Sequence, residues 1–425
     1  MDTAATPVNG LATPAPAMSI RATAGTRQEQ SKVASELHLA FLDGIRGLAS
    51  LYVVFHHVWL ASYPRSSGTV CGICLDAPSW SHWLRFGHLA VAIFIVVSGF
   101  SLSLSPVRHG DRLSSGYLEY MRRRAFRILP PYWIALLLSC LVVASFTQRY
   151  TGMVIDGKSV AVHGLLLNNV IDSAKPNGTF WSIAVEWQIY FVFPLLLLLC
   201  RRFGAGAMVL ATCACVVGSY LLGTHHSWIA TSLRLEPDSL RLLVKLLHFS
   251  PQFLALFALG VLAAHATSPD APYGSSRMPW MRTGLLAAIA TVLALWLVPV
   301  AALEANFFWV DLLAGVAVAA LLAGLARHPH GMVVRWLSGK IPRWLGQSSY
   351  SLYLVHAPIL ELILFGLVLP TGLSGSARFA VLFVIVVPAA LLGSRLFWRI
   401  FELPFIEHRS LRGLRDAYLN RRVAV

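Results

Sequence analysis

Charged residues are scarce in this 425-residue sequence, and acidic ones scarcest: Asp and Glu number 19 against 34 Lys and Arg, with 12% charged in all. A water-soluble domain carries about 25% charged residues, so most of this chain has too little polar surface to face water. Strict polar–apolar alternation is also missing, which excludes a membrane β-barrel. No stretch between the apolar runs is long enough to fold as a separate soluble enzyme, so any chemistry belongs to the apolar part. Cysteine is sparse, 6 residues in all, and Cys71 and Cys74 form a single C-x-x-C. A zinc site would need a second pair, so no metal site is expected. The pair suits a local disulfide in an oxidising compartment, and whether it forms stays open.

What the chain has in excess is apolar length: 56% hydrophobic residues and a mean hydropathy of +0.65. Its runs approach or reach the roughly 20 residues that span a hydrocarbon core. Ten helices are predicted, near 40–62, 87–107, 131–147, 181–200, 207–222, 245–265, 282–302, 307–326, 348–369 and 379–400. The expected fold class is an all-α polytopic membrane protein, a bundle of about ten transmembrane helices without a separate soluble domain. A shorter apolar piece at 159–171 reads as a re-entrant or interfacial segment, and Pro176-Asn177-Gly178 then breaks the chain. Residues 1–36, rich in Ala, Thr, Pro and Ser, read as a disordered cytoplasmic tail. Residues 37–406 form the membrane domain, and 407–425 a basic cytoplasmic tail.

A formal charge of +15 raises the question of nucleic acid. The basic residues, however, sit in short clusters between apolar runs, which is how membrane topology is written. With the N terminus inside, twenty-two Lys and Arg fall on the cytoplasmic side against nine outside. Both termini are therefore expected in the cytoplasm, in a multi-pass protein of the cell membrane whose first helix is its own anchor. Nucleic acid is not an expected partner; the lipid bilayer is.

The stretch "FLDGIRGLASLYVVFHHVWL" (41–60) carries Asp43, Arg46, His56 and His57 through an otherwise apolar helix. An Arg or Asp at mid-membrane costs about 2.5–3.5 kcal/mol even on lenient scales. At 100° per residue, His57 lies about 20° from the Arg46 stripe and roughly 16 Å along it, while His56 falls about 80° away. Asp43, three residues before Arg46, is its neighbour on the helix surface. An interhelical ion pair with a carbonyl-bound histidine would explain these groups. A functional site would explain them equally, with His57 as general base and Arg46 as a fixed cation for phosphate or oxyanion.

Other segments repeat the pattern. Glu186 lies within "NGTFWSIAVEWQIYFVFPLLLL" (177–198) near Tyr190, and Arg124 and Arg127 are helically spaced before Pro130-Pro131. Ser98-Gly99 sits in mid-membrane, His356 lies in "SYSLYLVHAPI" (349–359), and Glu402 lies in "FELPF" (401–405).

Taken together the chain resembles acyltransferase family 3, the ten-helix membrane acyltransferases, over roughly 38–410. The R-x(10)-H signature matches Arg46 and His57, SGF matches Ser98-Gly99-Phe100, and R-x-x-R matches Arg124 and Arg127. W-S-x-x-x-E-x-x-x-Y matches Trp181, Ser182, Glu186 and Tyr190. S-L-Y-L-x-H and E-x-P match Ser351–His356 and Glu402–Pro404. The resemblance implies transfer of an acyl group, acetyl foremost, from acetyl-CoA or another acyl-CoA to a hydroxyl of a carbohydrate. The acceptor would be an envelope or exported polysaccharide or a glycosylated small molecule, and no cofactor would be permanently bound. Many members carry a fused extracytoplasmic esterase-like domain, not found here. Transfer is thus expected to be direct or completed by a separate extracytoplasmic transferase partner.

On this reading His57, Arg46 and Glu186 are the catalytic residues, with Glu186 orienting His57 or pairing with Arg46. Arg124 and Arg127, in the most basic inside loop, would grip the acyl-CoA phosphates. Asp43, Ser98, Tyr190 and His356 are supporting residues. A proton-coupled transporter is the alternative, since buried His, Arg and Glu suit one too. It would show internal repeats and matched broken helices, and no such self-similarity is found.

Overall fold

The computed structural model describes residues 19–63, 77–233, 251–268, 278–299, 302–303 and 307–408, with side chains from residue 40 onward. The C-x-x-C pair and the C-terminal tail from residue 409 lie outside the described residues. Those described form helices and connecting turns with no strand among them.

Helix α1 (Ser19–Ser62) leads by a short 3-10 segment (Ser79–Phe86) to α2 (His88–Arg108). Helix α3 (Gly116–Val142) continues through a π turn (Val143–Thr147) to Thr151, and α4 (Gly157–Gly164) follows. Next come α5 (Trp181–Leu233), α6 (Pro251–Thr267), α7 (Trp280–Leu297) and α8 (Phe307–Ala326). Two short helices, α9 (Met332–Leu337) and α10 (Lys340–Gln347), precede α11 (Ser349–Ile363), α12 (Gly375–Phe397) and α13 (Leu403–His408). Seven stretches among the described residues are long and apolar enough to cross a membrane. One of them, Trp181–Leu222, is interrupted at Gly204, whose φ of 86° and ψ of 158° leave the helical region. That break falls between the two segments predicted at 181–200 and 207–222. Each of the ten predicted segments is helical where it is described, apart from Gly87, Val298, Pro299 and Ser348 at or near segment ends. The described part of α6 is apolar and 17 residues long.

Two helices start earlier than predicted. Helix α1 runs back to Ser19, well before 40. That stretch contains no proline and is rich in Ala, Arg, Gln, Glu and Lys, all good helix formers. Helix α3 begins at Gly116, well before 131, so Arg124 and Arg127 lie on a helix and not in a loop. Pro130 and Pro131 sit inside it, leaving the carbonyls four residues earlier without their usual amide donors. The short apolar segment after Asp156 opens as a non-spanning helix, α4, docked on α3. Asp156 caps it by accepting from the Ser159 amide at 2.8 Å. Tyr132 and Trp133 donate to the carbonyls of His163 and Gly164, both at 2.9 Å.

The core has two parts. Ile95, Phe100, Phe193, Leu256 and Phe257 are fully buried between α2, α5 and α6, where Phe193 meets Phe257 edge-on at 5.5 Å. Val58, Trp59, Leu352, Leu382 and Val386 fill the second, between α1, α11 and α12. Large apolar side chains on α7 and α12 point outward, as lipid-facing helices require. The contact between α2 and α6 is backbone on backbone. A Cβ at Gly99 would overlap the carbonyl of Phe257, and one at Gly260 would overlap the carbonyl of Val96. Close glycine crossings are the membrane's substitute for hydrophobic association.

Gly260→Ala should therefore cost about 1–3 kcal/mol by overpacking. It should appear as a lowered melting temperature of the purified protein; an unchanged value would contradict the close crossing.

Candidate active site

A cavity of about 250 Å³ opens between α1, α2, α3, α5 and α11. One helix supplies most of one wall: Val91, Phe94, Ile95, Ser98, Ser101 and Leu102 recur at three- and four-residue steps on one side of α2. Arg46 enters from α1, Arg124 and Arg127 from α3, and Ser182, Glu186 and Tyr190 from α5. Tyr350 and Tyr353 of α11 close the remaining side.

Arg46 reaches across to α2, where its Nη2 donates to Ser101 Oγ at 2.8 Å. Asp43 lies 3.7 Å from the same guanidinium, so the expected neighbour on α1 is in place. Arg124 stands 6.0 Å over the Tyr120 ring, and its Nε is buried without a hydrogen-bond partner. Within the basic run of α3 the partners sort the residues. Arg122 and Arg123 pair with Glu119 outside the cavity at 2.7 Å; Arg124 and Arg127 turn into it. Three guanidinium groups thus share the cavity wall with one carboxylate.

That carboxylate, Glu186, takes other partners than expected. Ser98 Oγ donates to its Oε1 at 2.8 Å, and the Tyr190 hydroxyl donates to the same oxygen. It orients neither His57 nor Arg46. The reason is helical register: Tyr190 lies one turn along α5 from Glu186, and Ser98 of α2 faces both, its Oγ 3.1 Å from the Tyr190 hydroxyl.

His57 does not line this cavity. Its Nδ1 lies 2.8 Å from the Val53 carbonyl and 3.4 Å from His356 Nε2. His356, buried, directs its own Nδ1 to the carbonyls of Tyr353 at 2.8 Å and Leu352 at 3.1 Å. A carbonyl only accepts, so each Nδ1 carries the proton, and the network assigns the Nε2 tautomeric lone pair to both rings. On His57 that leaves Nε2 as the basic nitrogen. His56 points elsewhere, its Nδ1 2.7 Å from the Leu84 carbonyl and its ring against Gly87. The separation of the two histidines follows the register read from the sequence.

Tyr353 joins the two halves. It lines the cavity, its ring lies 5.7 Å from that of His356, and its hydroxyl donates to the Thr179 carbonyl at 3.0 Å. Sequence reasoning met Tyr353 only as part of the S-L-Y-L-x-H match, without a role, and did not nominate Phe94 or Ser101. Ser101 could have been found from its three-residue spacing to Ser98, and Tyr353 from its spacing to His356; nothing local marks Phe94. Ser351 donates to the buried Glu402, a separate pair beside the cavity. Among the described residues no three His, Cys, Asp or Glu side chains come together to hold a metal ion.

Comparison with known proteins bears on this arrangement. A family model described as an acyltransferase domain matches residues 39–399, most of the chain. The chain belongs to acyltransferase family 3. Among similar proteins is YrhL of Bacillus subtilis strain 168, whose name assigns it provisionally to peptidoglycan O-acetylation. The two share 23% identity over 362 residues, 76% of this chain and 48% of YrhL. Nodulation protein 10 of Rhizobium leguminosarum bv. viciae is 27% identical over 207 residues, 45% of this chain and 52% of its own. The O-acetyltransferase OatA of Staphylococcus aureus is 27% identical over 182 residues, 39% of this chain and 26% of OatA. The chain thus spans about half or less of the length of these curated relatives. No solved structure matches. All the cavity's charged residues in this family 3 chain lie inside the matched span.

A cavity with three cations and one anion should take up a compact polyanion. Inorganic pyrophosphate should raise the melting temperature of the purified protein, as a ligand at 100 times its Kd adds about 2.7 kcal/mol. Arg124→Ala or Arg127→Ala should shrink that rise, whereas Arg123→Ala should leave it. Equal rises in all three variants would mean the anion binds elsewhere.

Proposed function

We propose that the protein is a membrane-embedded O-acyltransferase that moves an acyl group from a coenzyme A thioester to a carbohydrate hydroxyl. The observation that carries this reading is the cavity's surplus of guanidinium groups one residue's breadth from a histidine pair with a basic nitrogen, in a chain of an acyltransferase family. Guanidinium forks suit phosphate oxygens, and the donor's diphosphate would lie among Arg46, Arg124 and Arg127. Eleven residues of α1 separate Arg46 from His57, about 16 Å, close to the reach of an extended pantetheine arm. Arg46 is therefore assigned to the donor phosphates rather than to the reacting carbonyl.

In the step itself, His57 Nε2 takes the proton of the acceptor hydroxyl as that oxygen attacks the thioester carbonyl. The carbon–sulfur bond then breaks, and the departing thiolate recovers the proton from His57. His356 accepts from His57 Nδ1 and holds the tautomer. Glu186, fixed by Ser98 and Tyr190, offsets part of the cavity's positive charge. The acceptor belongs to the envelope polysaccharides; peptidoglycan, in the name of YrhL, is the first to test.

We place the protein in the cytoplasmic membrane with both termini inside, from the distribution of Lys and Arg. The guanidinium end of the cavity, near the basic start of α3, then faces the cytoplasm, where coenzyme A thioesters are found. A reporter fused within the 109–115 loop reads this orientation directly.

With acetyl-CoA and a soluble glycan acceptor, His57→Ala should lower transfer by on the order of 100- to 10,000-fold, the usual range for a general base. His56→Ala should cost far less at equal protein level. The reverse order would move the base to the other side of α1, and no acylated product from the parent would favour the transporter reading.

A further inference from the structure

The cavity changes character along its length. At one end Arg46 meets Ser101, and Ser98 meets Glu186; seven residues of α2 before Ser101, about 10 Å away, Phe94 begins a wall shared with Val91, Ile95, Ile183 and the ring of Tyr353. This apolar end is narrowed by two rings. Phe94 and Tyr353 pack edge to face with ring centroids 6.0 Å apart. Tyr353 is 7% exposed, and its hydroxyl is held at 2.6 Å from Ser182 Oγ as well as on the Thr179 carbonyl. Behind it stands His356. The wall is pinned on three sides, unlike a surface ring free to swing.

We propose that Phe94 and Tyr353 determine the length of acyl group the protein accepts, admitting acetyl or propionyl and excluding longer chains. This rests on the reading of the cavity as the thioester site. With the phosphates at the guanidinium end and His57 beyond Tyr353, the thioester carbonyl comes to rest against the aromatic pair. The acyl tail then has only the pocket bounded by Phe94, Val91 and Ile183. The whole cavity, about 250 Å³, is smaller than the roughly 300–1,000 Å³ usual for ligand pockets. One methylene too many in such a pocket costs about 10- to 200-fold in discrimination. Of the two residues Phe94 is the one whose removal enlarges the space cleanly, because no hydrogen bond holds its ring.

The test uses the purified full-length protein and unreactive thioethers: coenzyme A itself, then its S-ethyl, S-butyl and S-hexyl derivatives, with Kd measured for each. The parent should bind S-ethyl-CoA at least about tenfold more tightly than S-hexyl-CoA. Phe94→Ala should narrow that ratio about tenfold or more, each Kd being taken relative to that of coenzyme A for the same protein. Phe94→Leu, a milder change for use should the alanine variant not fold, should fall between. Equal affinity for all lengths in the parent, or the same ratio in parent and variants, would overturn the proposal and leave the donor site standing. A parent that binds no coenzyme A would overturn the donor site and this proposal with it.

Discussion

Three guanidinium groups inside an apolar bundle set the terms for the rest of this molecule. Arg127 stays exposed while Arg46 and Arg124 are half-buried, a costly placement for a cation, and the fold answers with few acids. Asp43 attends Arg46, Glu186 faces the same cavity, and Arg124 keeps a buried Nε with no acceptor at all. An uncompensated buried cation is tolerated where a ligand supplies the missing charge. Ser98 of α2 and Tyr190 of α5 both hold Glu186 in place. The close crossing of α2 and α6 at Gly99 and Gly260 fixes the helix that carries Ser98, which supports that charged cavity.

The second constraint is separation. Histidine and arginine lie on one stripe of α1 but face different companions, Arg46 on α2 and His57 on α11. Between them stands Tyr353, whose backbone carbonyl orients His356 and whose ring lines the cavity. One residue therefore belongs to the anion-binding half through its side chain and to the histidine half through its main chain. A donor long enough to bridge the halves satisfies both.

Much of this was legible in the sequence, for reasons that are one-dimensional. Apolar runs near spanning length announce helices wherever they occur, and the pause at Gly204 divided two of them. Arg46, Arg124, Arg127, Ser98, Glu186 and Tyr190 were all marked by charge or motif, and all line one cavity. What escaped was pairing between distant helices. Glu186 was expected to meet Arg46 or His57; which of several nearby donors it takes depends on the rotation of α5 against α2, which no local pattern encodes. The start of α3 was missed because a basic amphipathic stretch before two prolines reads as a loop. Phe94 was invisible because one phenylalanine in an apolar helix resembles every other.

The account's central claim is that the donor's diphosphate sits among Arg46, Arg124 and Arg127, with its pantetheine arm directed along α2 toward Tyr353. An electron cryomicroscopy map of the purified protein with coenzyme A tests it most directly. The account expects diphosphate density within hydrogen-bond reach of those three guanidinium groups, with the thiol end near Phe94 and Tyr353. Density for the diphosphate on Arg122 and Arg123 outside the cavity, or an arm running away from Tyr353, would contradict it.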